Sequence, residues 1–496
     1  MAKSKVIKVN KRDKAEESEK PEKKKKKENV VGTESKLGLA YTSMLDDIER
    51  KLGTTGGDMS NQRLSTGMLT VDLIMGGGLV PGMTTIAGME ASGKSTLMMS
   101  ALRSAVASSI PIIHYLDAEG SVDPRYTTSI LRVKSLTEVF GEGDEKGWKV
   151  LPKAFYSSDN IIEGCYDRIA RILNRLPDKI YKQNNKQWYL VVENSNKAQV
   201  ELSKTFGPAD KKYSKGGFTW YPTDNPHPQA VFFIDSYPLL LPGAVDENEK
   251  TSNGLALQAR SYSQQLPRVV GKLRSKRAII FGVNQIRKAP MVMFGPSEYE
   301  PCGEALKFNS SVRHWIGSRA VPNEWRSDAK NSKISIEPSV EGKGEDQYAY
   351  KHVANKKNKT YTPFLECWTR VWIKDGKGKG RGLDPVFDTA QFLFNVGLAK
   401  RGRKNLIEFT KMPEKLHPLN GMALEWLDFK TLILTEEFKS KELSEKAAKI
   451  YKKCKLDKPF NIRKFCFGIV KDGTASTLMN DKLAQTSKKD DDEDDE

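Results

Sequence analysis

Met83-Thr84-Thr85-Ile86-Ala87-Gly88-Met89-Glu90-Ala91-Ser92-Gly93-Lys94-Ser95-Thr96 decides the fold. The apolar run Met83–Ala87 reads as a buried strand. Gly88 to Ser95 then match G-x-x-x-x-G-K-[ST] in full, and a helical pattern follows. A strand, a glycine loop and a helix in that order are the setting in which this motif wraps a phosphate chain. The glycines let backbone N–H groups close around the anion. Lys94 reaches the outer phosphates, and the Ser95 hydroxyl meets Mg²⁺. Gly88, Glu90, Ser92, Gly93 and Thr96 complete the predicted nucleotide-binding set.

Three more apolar runs read as buried parallel strands: Ile112–Leu116, Val231–Ile234 and Ala278–Val283. Helical patterns lie between them, at Ile161–Leu176 and Leu257–Leu273. Alternation of this kind predicts an α/β fold with chemistry at the strand carboxyl ends. Residues 177–229 are polar, dotted with aromatics and rich in Lys, Asn and Gly, and read as an insertion. After Gly382 the pattern turns mostly helical, which predicts a small C-terminal domain over 385–480. Two tails have too few apolar residues to bury: a basic one over 1–36, with a lysine run from Lys23 to Lys27, and an acidic one over 481–496, ending in Asp490 to Glu496.

The chain has 496 residues, 81 Lys and Arg against 63 Asp and Glu, and so a net charge of 81 − 63 = +18. That excess points to a polyanionic partner or to a solvated basic surface. No apolar run reaches the ~18–20 residues of a membrane helix. The lysine-rich start has no apolar segment of a secretory signal. The five cysteines show no CxxC pairing, which argues against a zinc module and fits a reducing cytoplasm.

Two carboxylate sites follow from strand positions. Asp235 ends the run Val231–Ile234, where a carboxylate can hold Mg²⁺ through its water shell. Asp117-Ala118-Glu119 lie just past Ile112–Leu116, where a carboxylate can orient and deprotonate an attacking water.

Taken with further motifs, the chain resembles the RecA family of DNA recombinases. Upstream stand Ser65-Thr66-Gly67 and Gly76-Gly77-Gly78-Leu79; downstream come Asp123-Pro124-Arg125-Tyr126, Asp235-Ser236 and Asn284-Gln285-Ile286-Arg287. Met293-Phe294-Gly295, Ala305-Leu306-Lys307-Phe308, Ser311-Val312-Arg313, Lys357-Asn358-Lys359 and Pro363-Phe364 complete the order. The match runs from about Arg63 to Asp384.

The resemblance implies a RecA-like P-loop ATPase core over 61–384 with a mostly parallel central sheet. It implies an N-terminal helical oligomerisation segment over 37–60 and a small C-terminal domain. The implied activity is DNA-dependent ATP hydrolysis, with ATP and Mg²⁺ as cofactors, coupled to strand exchange by a helical filament on single-stranded DNA that then takes up double-stranded DNA. Glu119 becomes the general base, and Asp123 and Tyr126 hold the adenine. Gln285 senses the γ-phosphate. Lys357 and Lys359 reach ATP on the neighbouring subunit. DNA runs along two loops, 246–254 leading to Arg260, and 286–304. There Arg260, Arg287 and Lys288 meet phosphates, and Met293 and Phe294 enter between bases.

The chain departs from the family in three places. The end of its second loop, Ser297-Glu298-Tyr299-Glu300-Pro301-Cys302-Gly303, is stiffer and more acidic than the usual glycine-rich stretch. The insertion 177–229 has no counterpart, and the C-terminal region is longer. Such divergence fits a virus-encoded or distant bacterial member acting in the cytoplasm, at the nucleoid or in the host. Two other readings stay open: a ring helicase on the same fold, and a DNA-binding scaffold with a residual ATP site.

Overall fold

Strands that leave nothing polar to face water on either side end up inside a parallel sheet. Gly82–Gly88 (β1) and Ala230–Asp235 (β4) are buried at every position. Ile112–Asp117 (β2) and Ala278–Gln285 (β5) are buried at all but one each. In the computed structural model these four lie side by side as β1-β5-β4-β2. Phe155–Ser157 (β3) closes one edge, and Val312–Ser318 (β6) flanks β1 on the other side. All six run parallel. Beyond β6 the sheet continues antiparallel through Glu345–Asn358 (β8), Glu366–Lys374 (β9) and Gly382–Leu383 (β10). Ile334–Pro338 (β7) pairs with the first part of β8. The predicted α/β class and mostly parallel sheet are what the chain forms. The four predicted strands are present, each extended at one or both ends.

The structure describes residues 63–482 except 121, 183–186, 197–198, 200–201, 205–216, 224–226, 244–253, 289–297, 319–333, 341–343, 375–381, 411–418, 420 and 457–458. The basic tail, the segment 37–60 and the acidic end at 490–496 lie outside the described residues.

Alternation along the strands sends side chains to two separate cores. Val231 and Phe233 join Ile113, Tyr115, Ile279 and Phe281 under Leu69–Met75 (α1), Lys94–Ala107 (α2) and Pro124–Leu131 (α3). Phe232 and Ile234 face the other way, with Ile280, under Ile162–Arg175 (α4) and Gly254–Ser275 (α5). In α4 the residues Ile162, Cys165, Tyr166, Ile169, Ala170 and Leu173 recur at the three-and-four spacing of one helical face. The short Glu304–Asn309 (α6) leads into β6.

The insertion forms its own antiparallel sheet from Asp178–Lys182, Gln187–Glu193 and Phe218–Thr223. It leaves after α4 and returns at β4, so it grows from the amino ends of the parallel strands. Past Asp384 come Pro385–Asn395 (α7), a small sheet (Ala399–Arg401, Leu406–Phe409, Ala423–Glu425), Trp426–Phe438 (α8), Lys441–Lys453 (α9) and Ile462–Lys471 (α10). Their apolar core is continuous with Leu69, Leu73, Tyr348, Tyr350 and Trp372, so the predicted C-terminal domain packs directly on α1, β8 and β9. Among the described residues no helix is long and apolar enough to cross a membrane.

A buried charge cluster fastens this junction. Arg370 on β9 has no exposed surface and pairs with Asp384 and Glu337. Its guanidinium lies 3.8 Å from the Tyr348 ring centre. Lys430 on α8 pairs with Asp346 at 2.9 Å and with Glu337 at 3.5 Å. Burial alone would push the Glu337 carboxyl up; Arg370 and Lys430 instead hold it down at about 2. Removing one member of such a cluster strands the others. Arg370→Leu is expected to cost about 3–5 kcal/mol, read by urea denaturation. A loss below ~1 kcal/mol would mean that the cluster holds without it.

Candidate active site

Four parallel carboxyl ends build the site. In register, Gly88 lies beside Gln285, and Asp117 beside Asp235. Two backbone bonds close this edge: Ile286 N–H to Gly88 O at 3.0 Å, and Ala118 N–H to Asp235 O at 2.7 Å. Adjacent strands thereby present the glycine loop, Gln285, Asp235 and the Asp117–Glu119 turn along one line.

The loop that leaves β1 needs its glycines. A Cβ on Gly88 would collide with the Ile316 carbonyl oxygen and the Ser92 hydroxyl. Gly93, which caps α2, sits at φ +97, a region L side chains rarely adopt. Ala91 is also left-handed, at φ 53. Lys94 turns back into the loop, and its Nζ donates to Met89 O at 2.7 Å. Burial lowers its pKa, against Asp235, Glu119 and Glu90, which raise it. The lysine is thus desolvated and faces three carboxylates.

The three acids of the site do different things. Asp117 is committed to structure: Oδ1 accepts from Gly120 N, and Oδ2 accepts from Tyr156 O–H at 2.9 Å and from Val122 N. Asp235 is buried, and its Oδ2 accepts weakly from Tyr115 O–H at 3.3 Å. Its Oδ1 accepts no hydrogen bond of good geometry, although the Ser95 hydroxyl is near enough to favour the charge. Burial, with Glu119 and Asp117 nearby, raises its pKa to about 6. Glu119 is exposed; its backbone N–H donates to Asp235 O at 3.3 Å, and its carboxylate makes no hydrogen bond among the described residues.

A buried, unsatisfied carboxylate oxygen facing a serine hydroxyl at the head of a phosphate loop fits Mg²⁺. That ion takes few protein ligands and relies on phosphate oxygens and water for the rest. Ser95 and Asp235 would hold it. Among the described residues no cluster of three or more His, Cys, Asp or Glu could hold a metal by itself.

Asp123 caps α3, its carboxylate accepting from Tyr126 N at 2.7 Å, and Pro124 opens the helix. The Tyr126 ring is 38% exposed, and its hydroxyl meets Thr96 Oγ1 at 3.1 Å, which ties it to α2 beside the phosphate loop. Gln285 ends β5. Its neighbour Asn284 reaches Glu300 Oε2 and Pro301 O, each at 3.4 Å. Glu300 is buried and accepts from Arg313 Nη2 at 2.5 Å and Trp315 Nε1 at 2.6 Å. Arg287 and Lys288 are exposed and pair as a short ribbon with Tyr299 and Glu298. Arg260 is exposed on α5. Met293 and Phe294, and residues 246–253 of the first loop, lie outside the described residues.

Lys357 and Lys359 are not brought to this chain's own phosphate loop. β8 runs antiparallel to β6, so Val312, at the start of β6, faces Asn358. Both lysines therefore emerge at the end of the sheet away from Gly88. Lys357 Nζ donates to Lys307 O and Phe308 O, and Lys359 is exposed. Sequence reasoning missed four residues of the site. Tyr115, Tyr156 and Glu300 are set by pairing across the sheet, and Lys351 Nζ donates to Ala91 O of the loop at 2.9 Å. A lysine in a long strand carries no motif; only the strand register could have pointed to it.

Comparison with known proteins places the resemblance on record. A family model described as the RecA N-terminal domain matches residues 228–338. The RecA protein of Thermus thermophilus is 26% identical over 424 residues, covering 80% of this chain and 97% of that protein. The RecA protein of Thermus aquaticus is 30% identical over 223 residues, covering 42% of this chain and 58% of that protein. Among solved structures, a RadB recombinase aligns with 65% of this chain and 98% of its own at 15% identity, with a TM-score of 0.32. Superposition that loose decides nothing. The chain is thus similar to RecA proteins over most of its length, at 26% identity.

Gly88→Ala is expected to destabilise the protein by about 1–3 kcal/mol through overpacking. Gly271→Ala, on an open face of α5 where a Cβ meets nothing within 4 Å, is expected to be neutral or stabilising by up to ~1 kcal/mol. Urea denaturation of both variants checks the contrast.

Proposed function

We propose that this chain is an ATP-dependent DNA recombinase of the RecA type. It polymerises as a helical filament on single-stranded DNA, pairs that strand with a homologous duplex and exchanges strands, using ATP and Mg²⁺. One observation carries the reading: Lys94, Gln285, Asp235 and Glu119 follow or end four neighbouring parallel strands around one phosphate loop. The near full-length alignment with a RecA protein and the charge of +18 support it.

In this reading the loop N–H groups and Lys94 bind the phosphates, and Lys94 exchanges its bond to Met89 O for them. Ser95 and Asp235 hold Mg²⁺, which when bound neutralises charge on the phosphate oxygens. Glu119, whose carboxylate carries no structural hydrogen bond among the described residues, orients the attacking water and takes its proton. Tyr126 stacks on the adenine and the free oxygen of Asp123 accepts from its amino group. Gln285 meets the γ-phosphate and passes its presence to the second DNA loop. Lys357 and Lys359 cannot reach the loop of their own chain, so a role at ATP requires a neighbouring copy, which fits hydrolysis between subunits of a polymer. Arg260, Arg287 and Lys288 bind DNA phosphates, and Met293 and Phe294 part the bases.

The deciding experiment compares the parent with Glu119→Gln in ATP binding, hydrolysis with and without single-stranded DNA, and strand exchange. The variant is expected to bind ATP within about twofold and to lose hydrolysis by ~10²–10⁴-fold, with long-lived filaments in electron micrographs. Closed rings and unwinding by the parent would replace this reading with a helicase.

Asp235 yields a pH dependence. Its folded pKa, about 6, is raised, so the neutral form is favoured below that value and the proton competes with Mg²⁺ there. The Mg²⁺ concentration for half-maximal nucleotide binding is expected to rise as pH falls from 7.5 to 5, by up to about tenfold per unit below the pKa. Asp235→Asn should bind Mg²⁺ weakly and flatten that rise, which also corrects for titration of the nucleotide itself. Parallel profiles for the two proteins would assign the metal to another group.

A further inference from the structure

Lys351 stands in β8, where it pairs with Ser318 of β6 and Thr369 of β9. It is 6% exposed. Its ammonium donates to Ala91 O at 2.9 Å and to Ser318 Oγ at 2.7 Å. The stem runs beside Gly93, where an added Cβ would lie 3.8 Å from Lys351 Cε. No carboxylate pairs with it among the described residues. Three other buried cations among the described residues are each paired with carboxylates. Arg370 has Glu337 and Asp384, Lys430 has Glu337 and Asp346, and Arg463 has Asp388 and Glu437.

A buried charge without a counter-ion is costly unless something compensates it. Burial and the neighbouring Lys94 both lower the pKa of this lysine, so two cations share one desolvated corner. The partner that would relieve both is an anion on the far side of the loop. Lys351 is connected to that side through one peptide group. It grips the carbonyl of Ala91, and the other end of the same peptide is the N–H of Ser92, inside the phosphate-wrapping stretch. A cation on the oxygen polarises the amide and makes its N–H a stronger donor. The same bond restrains Ala91 in its left-handed conformation, which a non-glycine residue holds only with support.

We propose that Lys351 is a positioning residue for the polyphosphate chain: from behind the loop it aims the Ala91–Ser92 peptide and adds a second fixed positive charge beside Lys94. This rests on the nucleotide reading above. Its contribution scales with the charge of the ligand, so it favours the triphosphate over the diphosphate and barely affects the monophosphate.

The test uses the full chain and measures dissociation constants for a non-hydrolysable ATP analogue, ADP and AMP at low and high salt. Lys351→Met keeps length and apolar stem but removes the charge. It is expected to weaken the triphosphate about tenfold, ADP less, and AMP by no more than about twofold, and to reduce the salt dependence of triphosphate binding. Lys351→Arg should recover part of the loss. Ser318→Ala, at an exposed position, loosens the ammonium without touching the core, and keeps the test open if the methionine variant does not fold. It should show the same ordering at smaller size. An equal loss for all three ligands, or none, in both the methionine and serine variants would overturn the proposal. Failure of the parent itself to bind the triphosphate would overturn the nucleotide reading, and this inference with it.

Discussion

Two backbone hydrogen bonds, Ile286 N–H to Gly88 O and Ala118 N–H to Asp235 O, close the carboxyl edge of the sheet, and the chemistry hangs from that edge. They are possible only because β1, β5, β4 and β2 run parallel in a fixed register, so that Gly88 ends level with Gln285, and Asp117 level with Asp235, two positions lower. A slip of one residue in any pair would turn a buried face outward and send Asp235 to the opposite side of the sheet. The register is held by the two apolar cores. Phe233 and Phe232 point into different ones, so neither core can form if the alternation shifts. Hydrophobic burial, acting along whole strands, thus sets the position of single carboxylates.

Once placed, the carboxylates are separated by environment rather than by type. Asp117 has its oxygens filled by Gly120, Val122 and Tyr156, and so shapes the turn that carries Glu119. Asp235 is buried with one oxygen that accepts no hydrogen bond, and burial raises its pKa. Glu119 is exposed, and among the described residues its carboxylate has no hydrogen-bond partner. Three acids within one turn and one neighbouring strand therefore stand in three environments: hydrogen-bonded, buried with a spare oxygen, and exposed, the kind of division by surroundings on which acid–base sites depend.

The part of this arrangement legible in the sequence is the part fixed by local constraint. Gly88 and Gly93 announce the loop because no other residue fits there, and Asp235 is readable because an apolar run stops at it. The same locality explains what was not legible. Tyr156 braces Asp117 from an edge strand three residues long, and a strand that short has no periodicity to detect. Lys351 reaches Ala91 from 260 positions away, through a pairing that depends on a bulge between Arg313 and His314. The antiparallel half of the sheet carries charged and polar residues at alternate positions, so β8 and β9 do not read as buried strands until the C-terminal helices are seen to cover one face. Motifs report contacts along the chain, and these contacts lie across it.

The stiff, acidic return of the second loop, which departs from the family pattern, has a physical account in Glu300. Its carboxylate is buried against Arg313 and Trp315 on β6, and Asn284 touches it from β5 at 3.4 Å. A glycine-rich return would leave the loop free to swing at both ends. Here one end is Gln285, beside Gly88 at the head of the glycine loop, and the other is bolted to the sheet through an ion pair that is costly to break in a buried setting. Displacing Asn284 at the β5 end strains the contact with Glu300 at the return end. The loop between them has its two ends coupled through a side-chain pair, without relying on the loop backbone to carry the strain. The proline at 301 and the acid at 300 therefore exchange backbone freedom for a fixed frame at the return end of the loop.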